Sequence, residues 1–496
     1  MGLMTFRLPS PAAGPANLEF RRAYATGLDR TPSRLTVELH AGVMICSKDS
    51  PESVRIFLPW PVAGQGTPIV GTATLAERST TYVLDLELAR GKLNDVRTQL
   101  ADWIQMGLRT PPQLADTLKL AHRSFFKAVV SREQPDVCSA HAAESLGHSW
   151  RAGEQLMDAY SAQIIENRLT ASSRLPTFMG CMVHGPPKAL PRGLDIPRLF
   201  NQANLSFGWR DAAPSEGRFR WDVLDAQIAW ARSNALPIEI GPLIEFRKGA
   251  LPDWIWLWAG DGDTISGLVA DFVRQVITRY RGKIPVWHVV HRIGGGEILG
   301  LSEEDQIRIA ARAVQVARQA DSSAHITIGV DRPWAEWMGS SHFQLGPLHL
   351  CDYLLRADIG LSGIALEIAP GYSTPGSHLR DLFEFSRLLD LYAILNFPLH
   401  IWMAAPSADG PDPSADPDVR VEAWQWPTPF DESRQTDLAS RWIALAVAKP
   451  YVRSVSWLQA DDATPHFYPH AGLLRPDGKL KPLVPWLKYL RTDFLA

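Results

Sequence analysis

Strand-like and helix-like segments alternate through the chain after Pro176, and this alternation constrains the fold more than any other feature. Eight short apolar runs predict strands, at residues 177–183, 203–209, 237–245, 285–292, 325–331, 363–369, 399–404 and 452–458. Helical periodicity lies between them, at residues 221–233, 265–280, 303–320, 379–391 and 434–448. Eight strands in roughly 320 residues are typical of a (β/α)8 barrel. A doubly wound sheet is the rival fold, but no Gly-rich phosphate loop follows the first strand.

The chain before this region shows two further patterns. Residues 1–88 contain alternating runs at 34–39, 54–58 and 82–88, separated by Pro and Gly clusters, and predict a small sandwich-like β module. From 89 to 170 the apolar residues recur at helical spacing, which predicts three helices bridging the β module and the barrel. The expected fold class is therefore α/β: a (β/α)8 TIM barrel over 176–496, preceded by a β-rich module and a helical segment.

Charge and composition exclude several classes of function. The formal net charge is −3 without a Lys/Arg run, so neither nucleic acid nor an anionic membrane surface is an expected partner. No apolar run reaches the ~18 residues of a membrane span, and the first residues lack signal-peptide features. We therefore expect a cytoplasmic protein. The four cysteines lack metal-ligand spacing and are expected to be reduced, buried thiols, so no metal or other cofactor is predicted.

One segment carries most of a recognisable motif, at residues 282–296. The sequence RYRGKI at 279–284 leads into WHVVHR at 287–292, and the whole closely resembles the fourth barrel strand of glycoside hydrolase family 10, the endo-xylanase family, which reads roughly RYKGKI-x-x-WDVVNE. Where that family has its general-acid glutamate this chain has Arg292, and the preceding asparagine is His291.

Other landmarks resemble the same family in the same order. Residues 200–219 are similar to its second strand, 241–254 to the third strand, 363–367 to the sixth, and 454–482 to the last strand and its tail. Each match is weak alone, but their order and spacing support the barrel far more than any activity. A carbohydrate ligand, neutral or acidic, is what the resemblance implies.

The resemblance also indicates which chemistry is missing. Retaining enzymes of this type need two carboxyl groups about 5–5.5 Å apart, and the family places them on glutamates that end strands four and seven. In the strand-seven segment 401–405, Met403 stands at the nucleophile's place. Arg292 cannot act as an acid, because a guanidinium does not deprotonate near neutral pH. The standard xylanase mechanism is therefore predicted to be absent.

Other carboxylates could take over the reaction. Catalytic groups of such barrels lie at the C-terminal ends of strands, and Glu245, Asp331, Glu367 and Asp461-Asp462 end predicted strands. Glu297 follows the Gly294–Gly296 run, which could swing it back as a displaced proton donor. The candidate catalytic residues are Glu367 with Glu245 or Glu297; the alternative is that these are ordinary loop or ion-pairing carboxylates.

The candidate substrate-binding residues are aromatic or cationic: Trp209, His291, Arg292, Trp402 and Trp457. Strand alternation predicts that His288 and Arg292 point one way and His291 the other. Arg292 either closes the site by pairing with Glu367, Asp331 or Glu297, which would make the cleft inert towards sugars, or stays free to bind an acidic sugar.

Three functions remain open from the sequence. The chain is a carbohydrate-binding protein of the family 10 type, a glycosidase of altered chemistry, or a non-catalytic interaction scaffold. An open cleft lined by tryptophans would favour the first two over the third. Two cleft carboxylates within about 10 Å of each other would favour the altered glycosidase.

Overall fold

A closed parallel barrel forms the C-terminal part of the chain. The computed structural model describes residues 2–9, 19–49, 51–187, 193–294, 297–339, 345–373 and 376–496. The barrel strands are β9 Phe178–Val183, β10 Gln202–Leu205, β11 Ile238–Ile240, β12 Ile244–Glu245, β13 Val286–His291, β14 His325–Asp331, β15 Gly363–Ile368, β16 Leu399–Met403 and β17 Val452–Trp457. β17 pairs with β9 and closes the sheet, so the predicted (β/α)8 fold is confirmed.

The third barrel strand is split in two. β11 and β12 both pair in parallel with β13, at Glu239 with Val286 and at Glu245 with His291. The segment between β11 and β12, 241–243, leaves the ladder, so nine strand segments make eight barrel strands. The split brings Glu245 beside His291 at the top of the barrel.

Helices cover the outside of the barrel, as their apolar periodicity predicts. They are α4 Ile196–Leu199, α5 Trp209–Ala212, α6 Asp222–Ser233, α7 Gly262–Arg279, α8 Glu303–Ala320, α9 Pro347–Arg356, α10 Leu382–Ala393, α11 Glu432–Ala448 and α12 Leu483–Asp493. The helix expected at 303–320 has those bounds, and Ser302 begins it with a capping box to Asp305. The short helix α5 shortens the predicted strand 203–209, which ends at Leu205.

Two four-stranded sheets form the N-terminal part. The strands are β1 Gly2–Arg7, β2 Tyr24–Thr26, β3 Pro32–Ser33, β4 Thr36–His40, β5 Val43–Lys48, β6 Arg55–Pro59, β7 Ile69–Gly71 and β8 Tyr82–Val83. Their orders are β4-β5-β1-β8 and β3-β2-β6-β7. Residues of both sheets, including Phe6 and Ile56, share one buried cluster. A β-rich region is therefore present, and its limits as a separate domain stay a prediction.

The strand predicted at 82–88 is wrong beyond Val83. Helix α1 begins at Leu84 and runs to Gln105. Leu84 and Leu88 are one helical turn apart, and both are buried in the N-terminal cluster. The apolar residues that predicted a strand here therefore also fit one face of a helix.

Three long helices connect the two parts: α1 Leu84–Gln105, α2 Pro112–Val130 and α3 Pro135–Ala171. Trp150 of α3 lies in the N-terminal cluster, whereas Leu156, less than two turns later, lies in the barrel cluster. The helices therefore contribute to both clusters, and the helical bridge as a separate segment stays a prediction.

The described residues include no helix that is both long and apolar enough to cross a membrane. All four cysteines are unbridged and buried, as predicted. Burial raises the pKa of the Cys46 thiol to about 12, which makes it a poor nucleophile.

Candidate functional site

A cavity of about 190 Å³ opens at the C-terminal ends of the barrel strands. In parallel barrels this end carries the binding and catalytic groups. The lining combines polar, charged and aromatic side chains, among them Asp211, Glu245, Arg247, His291, Arg292, Glu367, Trp402, Gln459, His466, Phe467 and Tyr468.

Arg292 is the centre of the charged cluster in this cavity. It follows β13 with a positive φ of 61°, a conformation that non-glycine residues rarely adopt. Its side chain is 5% exposed and Nη2 lies 2.5 Å from Oε1 of Glu367. Nη1 lies 3.5 Å from Oδ2 of Asp331, and Nε lies 3.0 Å from Oε1 of Glu245. The Nε contact is an ion pair outside hydrogen-bond geometry.

The cluster keeps its carboxylates ionised. Burial alone would raise the pKa of Glu367, but the charge of Arg292 together with the hydrogen bond and charge of His291 outweighs it, and the pKa is lowered. For Glu245 the burial effect is overcome by Arg247 and Arg292, and the pKa falls to about 2. Asp331 is buried too, and Arg332 and Arg292 lower its pKa. None of these three carboxyl groups holds a proton at neutral pH.

A chain of buried histidines runs from this cluster into the barrel. His291 Nε2 lies 2.5 Å from Oε2 of Glu367, its Nδ1 lies 3.1 Å from Nε2 of His288, and His288 Nδ1 lies 3.0 Å from the Thr327 hydroxyl. Burial, together with His291 and His400, lowers the pKa of His288 well below its usual value. These hydrogen bonds can orient the His291 ring and hold a hydrogen between His291 and His288.

The alternation predicted for this strand is wrong. The register between β13 and β14 shifts between His288 and Val290, and this bulge turns His288, His291 and Arg292 to the same side. Gly329 on the neighbouring strand β14 leaves space for the His291 ring, because a Cβ at this position would lie 2.0 Å from Nδ1 of His291.

Trp402 covers both histidine rings. Its ring centroid lies 4.2 Å from that of His288 and 4.8 Å from that of His291. It lines the cavity, as predicted, but most of its surface is used inside the protein, since it is 2% exposed.

Tyr468 is a member of the site that the sequence interpretation missed. Its hydroxyl donates to Oε1 of Glu367 and accepts from Nη2 of Arg292 at 3.2 Å. No local pattern marks it, because it lies in the loop after the last strand; the nearest signal is the Phe467-Tyr468 pair in that loop.

Replacing Tyr468 by phenylalanine is expected to lower the free energy of unfolding by about 1–3 kcal/mol, because a buried donor to a carboxylate is lost. Urea unfolding of the variant measures this. Tyr353→Phe is the matched control, since Tyr353 is 57% exposed, and it should leave the unfolding midpoint unchanged. An equal midpoint for both variants would contradict the role assigned to Tyr468.

Two predicted substrate-binding tryptophans lie in the core instead. Trp209 packs on Phe272 with ring centroids 5.4 Å apart, and its side chain is 2% exposed. Trp457 donates its indole N–H to the carbonyl of Ala471 at 2.8 Å. Neither is among the residues that line the cavity, because both are packed in the main hydrophobic cluster.

Met403 ends its strand, as predicted, but it does not face the cavity. It belongs to the barrel–helix cluster together with Ile401, whereas Trp402 points to the cavity. The assignment of Met403 to the nucleophile's place therefore fails by one residue of register. The inward positions of this strand, His400 and Trp402, still supply no carboxylate.

Glu297 is exposed and is not among the residues that line the cavity. Residues 295 and 296, on which its predicted swing depends, lie outside the described residues. Of the candidate catalytic pairs, the structure brings Glu367 and Glu245 together through Arg292 and leaves Glu297 outside.

A carboxyl group with a raised pKa lies deeper in the barrel. Burial raises the pKa of Glu239 to about 7, and Gln202 donates to its Oε2 at 2.7 Å. Glu239 does not line the cavity, so it cannot protonate a ligand bound there.

Comparison with known proteins supports the resemblance found in the sequence. Residues 201–328 match the model of glycosyl hydrolase family 10. Endo-1,4-beta-xylanase B of Humicola insolens is 29% identical over 119 residues, which are 24% of this chain and 32% of that protein. Endo-1,4-beta-xylanase 3 of Hypocrea jecorina is 30% identical over 130 residues, 25% of this chain and 36% of that protein. The chain thus spans about a third of the length of these curated relatives.

A solved structure agrees with the fold. A GH10 endoxylanase retrieved from a sugarcane soil metagenome superimposes with a TM-score of 0.50 at 16% identity, over 65% of this chain and 98% of that one. At this identity the likeness concerns the fold alone. The predicted resemblance to glycoside hydrolase family 10 is confirmed by the family match and the xylanase relatives.

Proposed function

We propose that the barrel-top cavity binds a neutral carbohydrate of the β-1,4-xylan class and does not hydrolyse it by the retaining mechanism. The sugar class comes from the xylanase relatives. The loss of hydrolysis is carried by one observation, the position of Arg292 within a shell of three carboxylates.

A retaining mechanism needs one protonated and one ionised carboxyl group. Glu245 and Glu367 line the cavity, and the pKa of each is lowered. Both groups are therefore anions at neutral pH, and both point at the guanidinium of Arg292. Neither Glu245 nor Glu367 therefore carries the proton that a leaving sugar oxygen would need.

The balance of charge favours a neutral ligand over an acidic one. Three carboxylates, Asp211, Glu245 and Glu367, and three guanidinium groups, Arg210, Arg247 and Arg292, line the cavity. Arg292 has no free edge for a uronate, since its nitrogens already face Glu245, Asp331 and Glu367. This pairing argues against the acidic-sugar alternative. We infer that the cleft is inert in hydrolysis, while its neutral polar and aromatic lining still binds a sugar, so the expectation of a cleft inert to every sugar is not adopted.

Binding without hydrolysis remains supported by the mixed lining. Phe467 offers an aromatic ring at the wall, stacked on Arg247 at 4.2 Å and on Arg292 at 4.7 Å. Ser206, Asp211 and Gln459 add polar groups around it. Aromatic surfaces with a few polar partners are the usual composition of small-molecule sites.

An altered glycosidase is the second candidate, because one observation favours it. Glu245 and Glu367 share a single guanidinium, so their oxygens lie within the roughly 10 Å that both glycosidase mechanisms require. That chemistry would need Arg292 to move away and one carboxyl group to take up a proton.

We expect the purified protein to release no reducing sugar from xylan above a vector control, and to bind neutral xylo-oligosaccharides in calorimetric titration. Binding should weaken at least tenfold in Glu367→Gln, which disturbs the cluster, and stay unchanged in the surface variant Glu38→Gln, whose side chain is 61% exposed.

Two results would replace this proposal. Turnover that Glu367→Gln abolishes would establish the altered glycosidase. Absence of any binding to neutral or uronate-bearing fragments would leave the interaction scaffold as the function.

A further inference from the structure

A second cluster of titratable side chains lies beside the cavity, between two loops of the barrel top. Asp412 lies in the loop after β16, and Asp462 and His466 lie in the loop after β17. One ligand atom of each lies within 4.8 Å of the other two. The side chains of Asp412 and His466 are 5% and 3% exposed, so water does not solvate them freely.

The hydrogen bonds of two histidines fix their tautomers. His466 Nδ1 lies 2.7 Å from the carbonyl oxygen of Thr464, and His470 Nε2 lies 2.6 Å from that of Gly410. A carbonyl oxygen can only accept, so each of these nitrogens carries the ring hydrogen. In a neutral ring the other nitrogen, Nε2 of His466 and Nδ1 of His470, is then an unprotonated lone pair.

Both lone pairs face the same carboxylate oxygen. Oδ2 of Asp412 lies 2.9 Å from Nε2 of His466 and 3.5 Å from Nδ1 of His470. The same oxygen accepts the backbone N–H of His470 at 2.8 Å, which fixes its position between the two rings. With both rings neutral, three acceptors converge at this point, and a cation between them would offset their repulsion.

We propose that Asp412, Asp462, His466 and His470 bind a divalent transition-metal ion of the zinc type. Bonds of 2.0–2.1 Å give a tetrahedral edge of about 3.3 Å, close to the spacing of Asp412 from each histidine. The carbonyl partners of the second ring nitrogens are the usual supports of metal-binding histidines. Imidazole ligands favour zinc over calcium, which takes oxygen ligands.

Asp462 and His470 are the ligands that have to adjust. Oδ2 of Asp462 lies 2.5 Å from Nζ of Lys481, and its Oδ1 accepts from the backbone of Gly472 at 2.6 Å. One oxygen of Asp462 lies within 4.8 Å of the ligand atoms of Asp412 and His466, so an approach of up to roughly 1.5 Å brings it to the tetrahedral edge. His470 lies outside this group of three and has to approach the ion from its position 3.5 Å from Asp412.

The ion would link the loop after β16 to the loop after β17 and thereby stabilise the part of the cavity wall formed by Phe467 and Tyr468. Phe467 and Tyr468 follow His466 directly in the chain, and both contact Arg292. His466 also lines the cavity, but the proposed ligands do not include the residues that pair with Arg292, and zinc binding is measured without any sugar.

The test is zinc titration of the full chain after chelator treatment, followed by calorimetry and thermal melting without any sugar. We expect one zinc ion per chain and a rise in Tm of several degrees, since a ligand that binds only the folded state stabilises it. His466→Gln and Asp412→Asn should each weaken zinc affinity at least tenfold and remove the Tm rise. Calcium should give no rise.

His141→Gln is the matched control, because His141 also lies 3.2 Å from a carboxylate, Glu144, but on a helix surface. It should bind zinc like the wild type. His470→Gln, further from Asp412, provides a milder variant if the others fail to fold, and it too should weaken zinc binding.

Absence of zinc binding in the wild type would show that His466 and Asp412 form a protonated ion pair only. Zinc affinity equal in the wild type and all three ligand variants would place the ion elsewhere. Either result overturns the metal site and leaves the carbohydrate proposal untouched.

Discussion

Replacement of Arg292 by methionine is expected to lower the free energy of unfolding by about 3–5 kcal/mol, the typical result of removing one partner of a buried ion pair. Methionine keeps much of the side-chain volume but leaves the carboxylates without the shared guanidinium. Glu245 retains its ion pair with Arg247 at 2.8 Å, and Asp331 retains its pair with Arg332 at 3.0 Å. The lost stabilisation therefore comes mainly from Glu367, which is left without a guanidinium partner. Urea unfolding at pH 7 measures the change.

The control is Arg274→Met. Arg274 pairs with Asp271 on the surface, with side chains 51% and 63% exposed, and such pairs contribute about 0–1 kcal/mol. Losses of equal size in Arg292→Met and Arg274→Met would contradict the central role of Arg292.

The pH dependence of stability should differ between the wild type and Arg292→Met. In the wild type the pKa values of Glu367 and Glu245 are lowered, that of Glu245 to about 2. Their contribution is therefore present above the unfolded pKa, about 4.3, and is lost as the pH falls through the folded values.

Without Arg292, burial dominates and the pKa of Glu367 is expected to rise above its unfolded value. The stability contributed by protonated Glu367 in the variant is then fully present below its unfolded pKa and is lost as the pH rises through its folded pKa. The difference in free energy of unfolding between the wild type and Arg292→Met should therefore become smaller from pH 7 to pH 5. A constant gap over this range would show that Glu367 does not take up a proton in the variant.

Truncation of Trp402 to alanine is expected to cost about 3–5 kcal/mol, the usual cost of removing a buried large aromatic side chain. Trp402 is 2% exposed and packs on His288 and His291, so the variant also frees the histidine chain beneath it. Trp258→Ala is the control, since Trp258 is 37% exposed and should cost clearly less.

The second effect of Trp402→Ala lies in the cavity. Because Trp402 forms part of the lining, its removal enlarges the space beside His291, and binding of neutral xylo-oligosaccharides should weaken along with stability. A variant as stable as the wild type would show that the rings of His288 and His291 do not depend on this packing.

The barrel could be predicted because its signals are local. Strand β14 and helix α8 have the predicted bounds, His325–Asp331 and Glu303–Ala320. Apolar periodicity and helix caps depend on neighbours within a few residues, which the sequence displays directly. The place of Arg292 at the end of the fourth strand followed from the family motif. Strand order gave Glu367, Asp331 and Glu297 as its candidate partners, with a free guanidinium as the alternative, and the first two pair with it.

The side of a strand on which each side chain lies could not be predicted from such local signals. His288 and His291 share one side because of a bulge against β14, and Met403 faces the helices while Trp402 faces the cavity. A shift of one residue in strand register exchanges the two faces of a strand. Pairing between strands decides that register, and no local pattern reports it.

The sequence by itself determined the barrel, the absence of a carboxylate at the end of its fourth strand, and the cation at that place. The sequence left open whether that cation is paired or free, and tertiary structure decided it, because Glu245, Asp331, Glu367 and Tyr468 come from four other parts of the chain. It also brought Asp412 to His466 across 54 residues. Contacts of this kind depend on closure of the barrel, which fixes the relative positions of loops that are far apart in sequence.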